Sequence, residues 1–458
     1  MIVLVRLLTP EAFGLVGMTV IFTGFANLFS SGGLGSALVQ KKNLEERHLY
    51  SVFWLNLAVG LSMTGIFVLT APFIADFYGR PILRPLTMLV GVDFTVGAFA
   101  VVQRAILRRA MHFRKLAFAQ IGAVIVSGAV AIVLAIVGYG VWSLVWRTLL
   151  LTAVNMLALW GLSEWTPSFR YQWGAVRELL GFSGNLLGFR VFNYWVRNTD
   201  DLLIGRLVGT VALGNYTRAY GIMLMPLRQI TRVIGRVMFP ALSKVQDDLA
   251  RVRRLWLQAN RLIGLVTIPM MCGLFVVVEP FVLAIFGPKW EGVIPILQLL
   301  CLVGVKQPVG STTGWIYRSQ GRTDWQFRWG VASGIFTVIA FAIGVYWGVL
   351  GVTIAYVIRS YLVWYPAIAI PGYLIDMSFG EFLRNLSGIF ACAMVMAIVV
   401  YGSSLLIPPA WSHAARLAVL VPVGVLVYVA LIHTVDLHAY SEARRLIAEE
   451  WESRSPLS

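Results

Sequence analysis

Charge is what this chain has least of. Of its 458 residues only 13% are Asp, Glu, Lys or Arg, 59% are hydrophobic, and mean hydropathy is +0.79. A water-soluble protein of this length needs more polar surface to cover its core, so a soluble globular class is excluded. Cysteine is almost absent: Cys272, Cys301 and Cys392 lie in apolar runs with no CxxC spacing and no histidine cluster beside them. A disulfide framework and a thiolate metal site are thereby excluded, and the three read as small buried hydrophobes. The five histidines are scattered near the ends of apolar runs. No Walker A run, HExxH, nucleophile elbow or convincing carboxylate pair is present, so no catalytic residue, metal or cofactor is expected. No cleavable signal peptide is visible, and apolar spans direct insertion without one.

What is present is a series of apolar runs of bilayer-spanning length. Clear ones cover 13–31, 52–71, 117–137, 141–161, 262–286, 330–347, 388–406 and 417–434. With the charge-bearing runs included, about thirteen spans are expected, which makes the chain an all-α polytopic membrane protein. The opening eight residues are apolar but too short to span before Thr9-Pro10-Glu11. About 15–20 further apolar residues are therefore expected upstream of Met1, to complete a first helix.

The formal net charge of +16 would suit a nucleic-acid partner, but its distribution points elsewhere. Basic residues crowd alternate loops: Lys41, Lys42 and Arg47; Arg104 to Lys115; Arg170 and Arg177; Lys244 to Arg254; Arg318 to Arg328. The loops between hold scattered cations such as Arg80, Arg84 and Lys289. Alternation of this kind is the positive-inside rule, so the rich loops and the tail with Arg444 and Arg445 are expected on the cytoplasmic side. Contact with anionic membrane lipids is a secondary consequence.

The two halves of the chain repeat each other at a separation of roughly 200–215 residues. Arg6-Leu7, Ala12 and Gly14 recur as Arg206-Leu207, Ala212 and Gly214. Pro72-Phe73 before Gly79 recurs as Pro280-Phe281 before Gly287, and Gly140-Val141 recurs as Gly348-Val349. Arg104, Arg108, Phe113 and Arg114 match Arg318, Arg322, Phe327 and Arg328 in spacing. An even number of spans per repeat gives both halves one orientation, hence a pseudo-two-fold axis along the membrane normal. The expected division is a transmembrane lobe over 1–163, a cytoplasmic interfacial linker over 164–183, a second lobe over 184–376, two additional helices over 377–435, and a cytoplasmic tail over 436–458. Trp165 and Trp173 suit the linker to the headgroup layer.

Three stretches resemble a known family: Arg6-Leu7-Leu8-Thr9-Pro10-Glu11-Ala12-Phe13-Gly14, the run from Gly32 to Gln40, and Asp200-Asp201-Leu202-Leu203-Ile204-Gly205-Arg206. They look like polysaccharide transporters of the MOP superfamily, closest to Wzx-type flippases and the colanic acid and teichuronic acid exporters. The resemblance implies two six-helix lobes around a central cavity, plus two extra helices. It implies translocation of an undecaprenyl-pyrophosphate-linked oligosaccharide across a bacterial inner membrane, for surface polysaccharide biosynthesis. A polysaccharide polymerase and a chain-length regulator are the protein partners it implies. Members of the family carry a complete helix before the Arg-Leu-Leu-Thr-Pro-Glu motif, most of which this sequence does not show.

The candidate site residues are charges inside the spans, where each costs about 2.5–3.5 kcal/mol at the bilayer centre unless a partner or a wet cavity offsets it. The run over 184–208 carries Arg190, Arg197, Asp200 and Asp201, and the next carries Arg218, Arg228, Arg232 and Arg236. The last three recur every fourth residue and stack on one helical face, so an anion or an aqueous cavity must face them. The matching run of the first half, 14–31, has no charge. Arg228, Arg232, Arg197, Arg190 and Arg218 are the candidates for a cationic site that grips pyrophosphate with forked guanidinium geometry. Arg236 reads as snorkelling to the headgroups. Asp201, Asp200 and Asp93 are candidates for coupling, and Arg197 with either of the first two for a structural ion pair. Lys306, Arg147 and Arg359 are weaker cavity candidates. Two other functions compete. A drug or cation antiporter on the same fold would favour buried carboxylates over arginines, and a membrane-embedded glycan polymerase would need a long outside loop that is not found here.

Overall fold

The computed structural model describes residues 1–30, 34–180 and 184–434, excepting the side chains of 30, 179–180, 184–190, 227–228, 232–233 and 309. The described chain is nearly all helical. In order the helices are α1 (Ile2–Leu7), α2 (Pro10–Ser30), α3 (Leu34–Gln40), α4 (Glu46–Tyr78), α5 (Leu83–Ala98), α6 (Val101–Arg109), α7 (Phe113–Ile136), α8 (Val141–Leu162), α9 (Trp173–Leu180) and α10 (Gly184–Leu203). Then follow α11 (Thr210–Lys244), α12 (Leu249–Ile285), α13 (Val293–Gly310), α14 (Thr313–Ser319), α15 (Thr323–Gly344), α16 (Gly348–Leu362), α17 (Trp364–Tyr373), α18 (Phe379–Leu406) and α19 (His413–Thr434).

Among the described residues, nine helical stretches are long and apolar enough to cross a membrane, or ten when the bent pair α5 and α6 is taken as one span. The expected number of about thirteen is approached once the more polar α10 and α11 are added. The stretch Thr323–Tyr373 also divides, because α15 and α16 pack side by side about a turn at Val345–Trp347. Large apolar side chains such as Leu69, Phe73, Ile125 and Ile136 stand exposed on these helices. In a bilayer that surface meets acyl chains, while every backbone polar group is satisfied inside its own helix.

The chain divides into two compact units, Met1–Gly214 and Asn215–Ser458. In the first, α4 packs along α5, α5 along α8, α7 along α8, and α10 lies on α2. Small residues let these helices approach, as membrane packing requires. A Cβ at Gly60 would come 2.8 Å from the Phe94 carbonyl oxygen, and one at Gly91 2.7 Å from Phe67 Cβ. At that seam Thr64 donates to the Gly91 carbonyl at 2.7 Å and shares a hydrogen bond with Thr95. In the second unit α12 is the central post, flanked by α13, α18 and α19. Trp256, Ile263, Ile268, Phe382, Ile389 and Met396 form its buried core. Polar ties cross it: Thr312 to Asn260 at 2.9 Å, and Tyr428 to the Leu265 carbonyl at 2.9 Å.

The repeat survives in the backbone, with one correction. Gly79 and Gly287 end α4 and α12 in the left-handed region, with φ of 64° and 91°. Gly140 and Gly348 stand before α8 and at the start of α16 with φ of 52° and 71°. The turn after α6 places Met111 at φ 58°, and the turn after α14 places Gly321 at φ 67°. Aligning those two turns pairs Arg108 with Arg318. The sequence match of Arg108 to Arg322 is therefore off by one helical turn. Helices α18 and α19 have no counterpart in the first half.

The repeat also makes one contact with itself. A Cβ added at Gly14 would overlap the Thr210 carbonyl oxygen, and one added at Gly214 would overlap the Pro10 carbonyl oxygen. Pro10 and Thr210 each open their helix and stand four residues before the matched glycine, so the contact is reciprocal. Gly14→Ala and Gly214→Ala should each lower stability by about 1–3 kcal/mol through overpacking. Gly65→Ala and Gly122→Ala, where a Cβ meets nothing within 4 Å, should leave it unchanged or raise it, since alanine is the better helix former. Thermal unfolding of the detergent-purified variants decides this, and equal effects at all four positions would contradict the close crossing.

Candidate functional site

Of the residues singled out from the sequence, the side chains of Arg190, Arg228 and Arg232 lie outside the described residues, and so does the tail with Arg444 and Arg445. Among the remaining candidates two separate clusters form, one acidic and one basic.

The acidic cluster belongs to the first unit. Asp200 is buried on α10, and its Oδ1 accepts the Asp201 backbone N–H at 3.0 Å. Immediately after α10 the backbone loosens into a π-helical turn, Ile204–Val208. Such turns interrupt regular hydrogen bonding and often mark functional positions. Tyr78, at the end of α4, and Tyr194, two turns before Asp201, both lie within electrostatic reach of the Asp201 carboxylate. Tyr194 donates to the Ile21 carbonyl, while the buried Tyr78 hydroxyl has no partner among the described residues. Arg197 is exposed, and among the described residues no ion pair joins it to Asp200 or Asp201. Asp93 stands apart on α5, with Thr152 of α8 near its carboxyl.

The basic cluster belongs to the second unit and forms around two weaker sequence candidates. Lys306 of α13 donates to the Ser360 carbonyl and sits 4.8 Å from the ring centre of Tyr361 and 5.8 Å from that of Trp364. Arg359 of α16 donates to the Ser333 carbonyl at 2.6 Å and to the Ser333 hydroxyl. The two cations are within electrostatic reach of each other. From α11, Tyr220 stacks on Tyr216 and meets Tyr356 at 6.2 Å, which brings phenol rings to Arg359. Arg218 lies half-buried on the same helix. No Asp or Glu occurs on α11, α13, α16 or α17. Two buried donors, Arg359 Nε and Trp364 Nε1, have no acceptor among the described residues. Each such group costs about 1–3 kcal/mol of desolvation. A donor-rich cluster of like charges with aromatic neighbours is complementary to an anion.

A polysaccharide biosynthesis protein family model matches residues 3–295. The chain belongs to that family. It is 29% identical over 368 residues to the lipopolysaccharide biosynthesis protein WzxC of Escherichia coli (strain K12), covering 78% of this chain and 73% of the relative. It is 28% identical over 416 residues to the teichuronic acid biosynthesis protein TuaB of Bacillus subtilis (strain 168), covering 90% and 86%. Among solved structures it is similar to a lipid II flippase, MurJ, in an inward closed conformation, with a TM-score of 0.73 at 15% identity over 94% of this chain and 95% of that one. An inward-facing multidrug MATE transporter of the MOP superfamily follows with a TM-score of 0.63 at 18% identity, covering 85% and 93%. The fold is thus that of MOP-superfamily transporters, as the motifs implied.

Sequence reasoning missed the tyrosines around Asp201 and the aromatic walls around Lys306, because aromatic residues in an apolar run look like lipid-facing packing. It also missed an anchor on the linker helix. Glu178 of α9 is held by Lys41, by Arg47 at 3.7 Å and by His48 Nε2 at 3.3 Å. His48 Nδ1 accepts the Glu45 backbone N–H at 3.1 Å, so the proton of a neutral ring sits on Nε2 and points to Glu178. Arg109 fastens the same corner by donating to the carbonyls of Leu38, Lys41 and Lys42. The hydrogen bonds from Lys41 and then His48 pull the Glu178 carboxyl down to about 2. A carboxyl depressed by folding stabilises the docked state above its ordinary value near 4.3, and loses that contribution as pH falls toward 2. Pepsin cleavage within 164–180 should accordingly rise as pH is lowered through that window. Glu178→Gln should be cleaved readily across the whole window, and indistinguishable profiles for the two proteins would remove the anchor.

Proposed function

We propose that the chain is a flippase that carries an undecaprenyl-diphosphate-linked oligosaccharide across the bacterial cytoplasmic membrane for surface polysaccharide assembly. Family membership and relatives that bear the names of lipopolysaccharide, teichuronic acid and succinoglycan proteins support a lipid-linked glycan as cargo. The observation that carries the reading is the basic cluster around Lys306 and Arg359. Two cations inside spans cost about 5–7 kcal/mol together on insertion scales. Their walls hold spare N–H donors, and their helices hold no carboxylate. A diphosphate supplies the missing charge and the missing acceptors, and the aromatic side chains offer faces on which a sugar ring can rest. A drug or cation antiporter would want the opposite charge there.

Within this reading Arg228, Arg232, Arg197, Arg190 and Arg218 are further candidates for contact with the diphosphate, and Asp201, Asp200 and Asp93 are candidate carboxylates for coupling. The lobes run over 1–163 and 184–376 with an interfacial linker over 164–183, two additional helices over 377–435, and the C-terminus in the cytoplasm. A polymerase and a chain-length regulator take over the flipped product.

Complementation of a flippase-deficient strain tests the proposal. Arg359→Gln, Lys306→Gln and Arg228→Ala should each cut surface glycan on the order of ten-fold or more, as loss of a charge-assisted phosphate contact requires. Lipid-linked precursor should accumulate at normal protein abundance, and Lys306→Arg should retain most export. Wild-type export from both Arg359→Gln and Lys306→Gln would overturn the diphosphate assignment.

A further inference from the structure

Trp364 opens α17 directly after the break at Val363, where α16 has ended. From Gly348 at the start of α16 to Trp364 the helical rise is about 24 Å, which lies within the roughly 30 Å of hydrocarbon. Three aromatic rings fix its plane in T-shaped contacts. Tyr361 lies 6.1 Å away at 84°, Phe379 5.8 Å at 86° and Phe382 6.5 Å at 81°. Tyr361 is itself held, since its hydroxyl donates to the Leu302 carbonyl at 2.9 Å.

An indole locked in this way does not turn its N–H toward a new partner. Buried tryptophans ordinarily place that N–H on an acceptor. Trp364 Nε1 is buried and has no acceptor among the described residues. Ring packing alone does not ask for a donor here, because a phenylalanine would meet Phe379 and Phe382 without leaving an N–H unmatched.

What lies beside the ring gives the N–H a use. The Lys306 ammonium stands over the indole face, 5.8 Å from the ring centre, as a cation–π contact requires. The N–H lies in the ring plane and points out from its edge. The two donors therefore address different places around one ring. No carboxylate from α11, α13, α16 or α17 competes for either, since these helices carry none. Glu381 of α18, between Phe379 and Phe382 in the chain, is paired with Arg253 at 3.6 Å.

We infer that Trp364 discriminates by phosphate number: its N–H binds the second phosphate of a lipid-linked diphosphate whose first phosphate lies at Lys306. A monophosphate at Lys306 leaves the indole N–H without an acceptor, whereas two linked phosphates match both donors. The inference rests on the diphosphate reading of the basic cluster and adds to it the residue that sets selectivity.

The test titrates the full-length protein, purified in a neutral detergent, with undecaprenyl diphosphate and with undecaprenyl phosphate, both without sugar. Binding is read by native mass spectrometry. The unaltered protein should prefer the diphosphate. Trp364→Phe keeps an aromatic ring and removes the N–H. It should weaken diphosphate binding about ten-fold, as loss of a hydrogen bond to a charged group does, and leave monophosphate binding unchanged. The ratio of the two lipids in one sample is independent of how much folded variant is present, so a merely structural role would not move it. An unchanged ratio in Trp364→Phe overturns the assignment. So does equal affinity of the unaltered protein for both lipids, which needs no variant. Lys306→Gln separates this failure from that of the cluster. It should weaken both lipids, and full binding of both by that variant would remove the diphosphate reading itself.

Discussion

A bilayer offers no water to its interior, and that one constraint orders this structure. Each polar group within the core must find a partner in the protein, face a wet cavity, or receive a ligand. Backbone groups meet the demand by forming helices nearly everywhere. Threonines such as Thr64 and Thr267 meet it by donating to carbonyls of the same or a neighbouring helix. The charged side chains are cases that such local bonding does not close, and among the described residues two clusters of them carry opposite sign.

In the first unit the polar excess is acidic and phenolic, around Asp201 and Tyr78. In the second it is cationic and aromatic, around Lys306, Arg359 and Trp364. A bundle held only by packing would need neither, since small residues at seams such as Gly60 and Gly91 already bring the helices together. The asymmetry is chemical and not architectural. Both halves repeat the same helix order and, at Gly79 with Gly287 and Gly140 with Gly348, the same left-handed glycines, while the charges differ from one half to the other.

The spans and the repeat were legible in the sequence because they rest on features with one meaning. Twenty apolar residues cross a bilayer, and glycines such as Gly79 and Gly287 sit where the backbone needs positive φ. The slip of one turn between Arg108 and Arg322 has a physical cause. Arginines four residues apart recur with the period of the helix, so a shift by one turn matches their spacing as well as the true register does. Backbone landmarks have no such degeneracy. The sites were less legible because their partners are remote in sequence. Tyr78 meets α10 across more than a hundred residues, and Lys306 finds Ser360 from another helix. A lone lysine and a tyrosine in apolar runs carry no signal of who their neighbours are. Asn385 beside Arg261 is the same case, a hydrogen bond visible only once the two helices are packed.

The proposed function is movement of a charged lipid head through this helical membrane fold. The most direct measurement uses the purified chain in proteoliposomes that carry a fluorescent undecaprenyl-diphosphate-linked oligosaccharide in both leaflets. A membrane-impermeant reagent that modifies the sugar reports how much substrate reaches the outer surface. If the chain is the flippase, modification should run past the outer-leaflet half toward completion, and Arg359→Gln should slow it. Modification that stops at the same half as in protein-free vesicles would contradict the account.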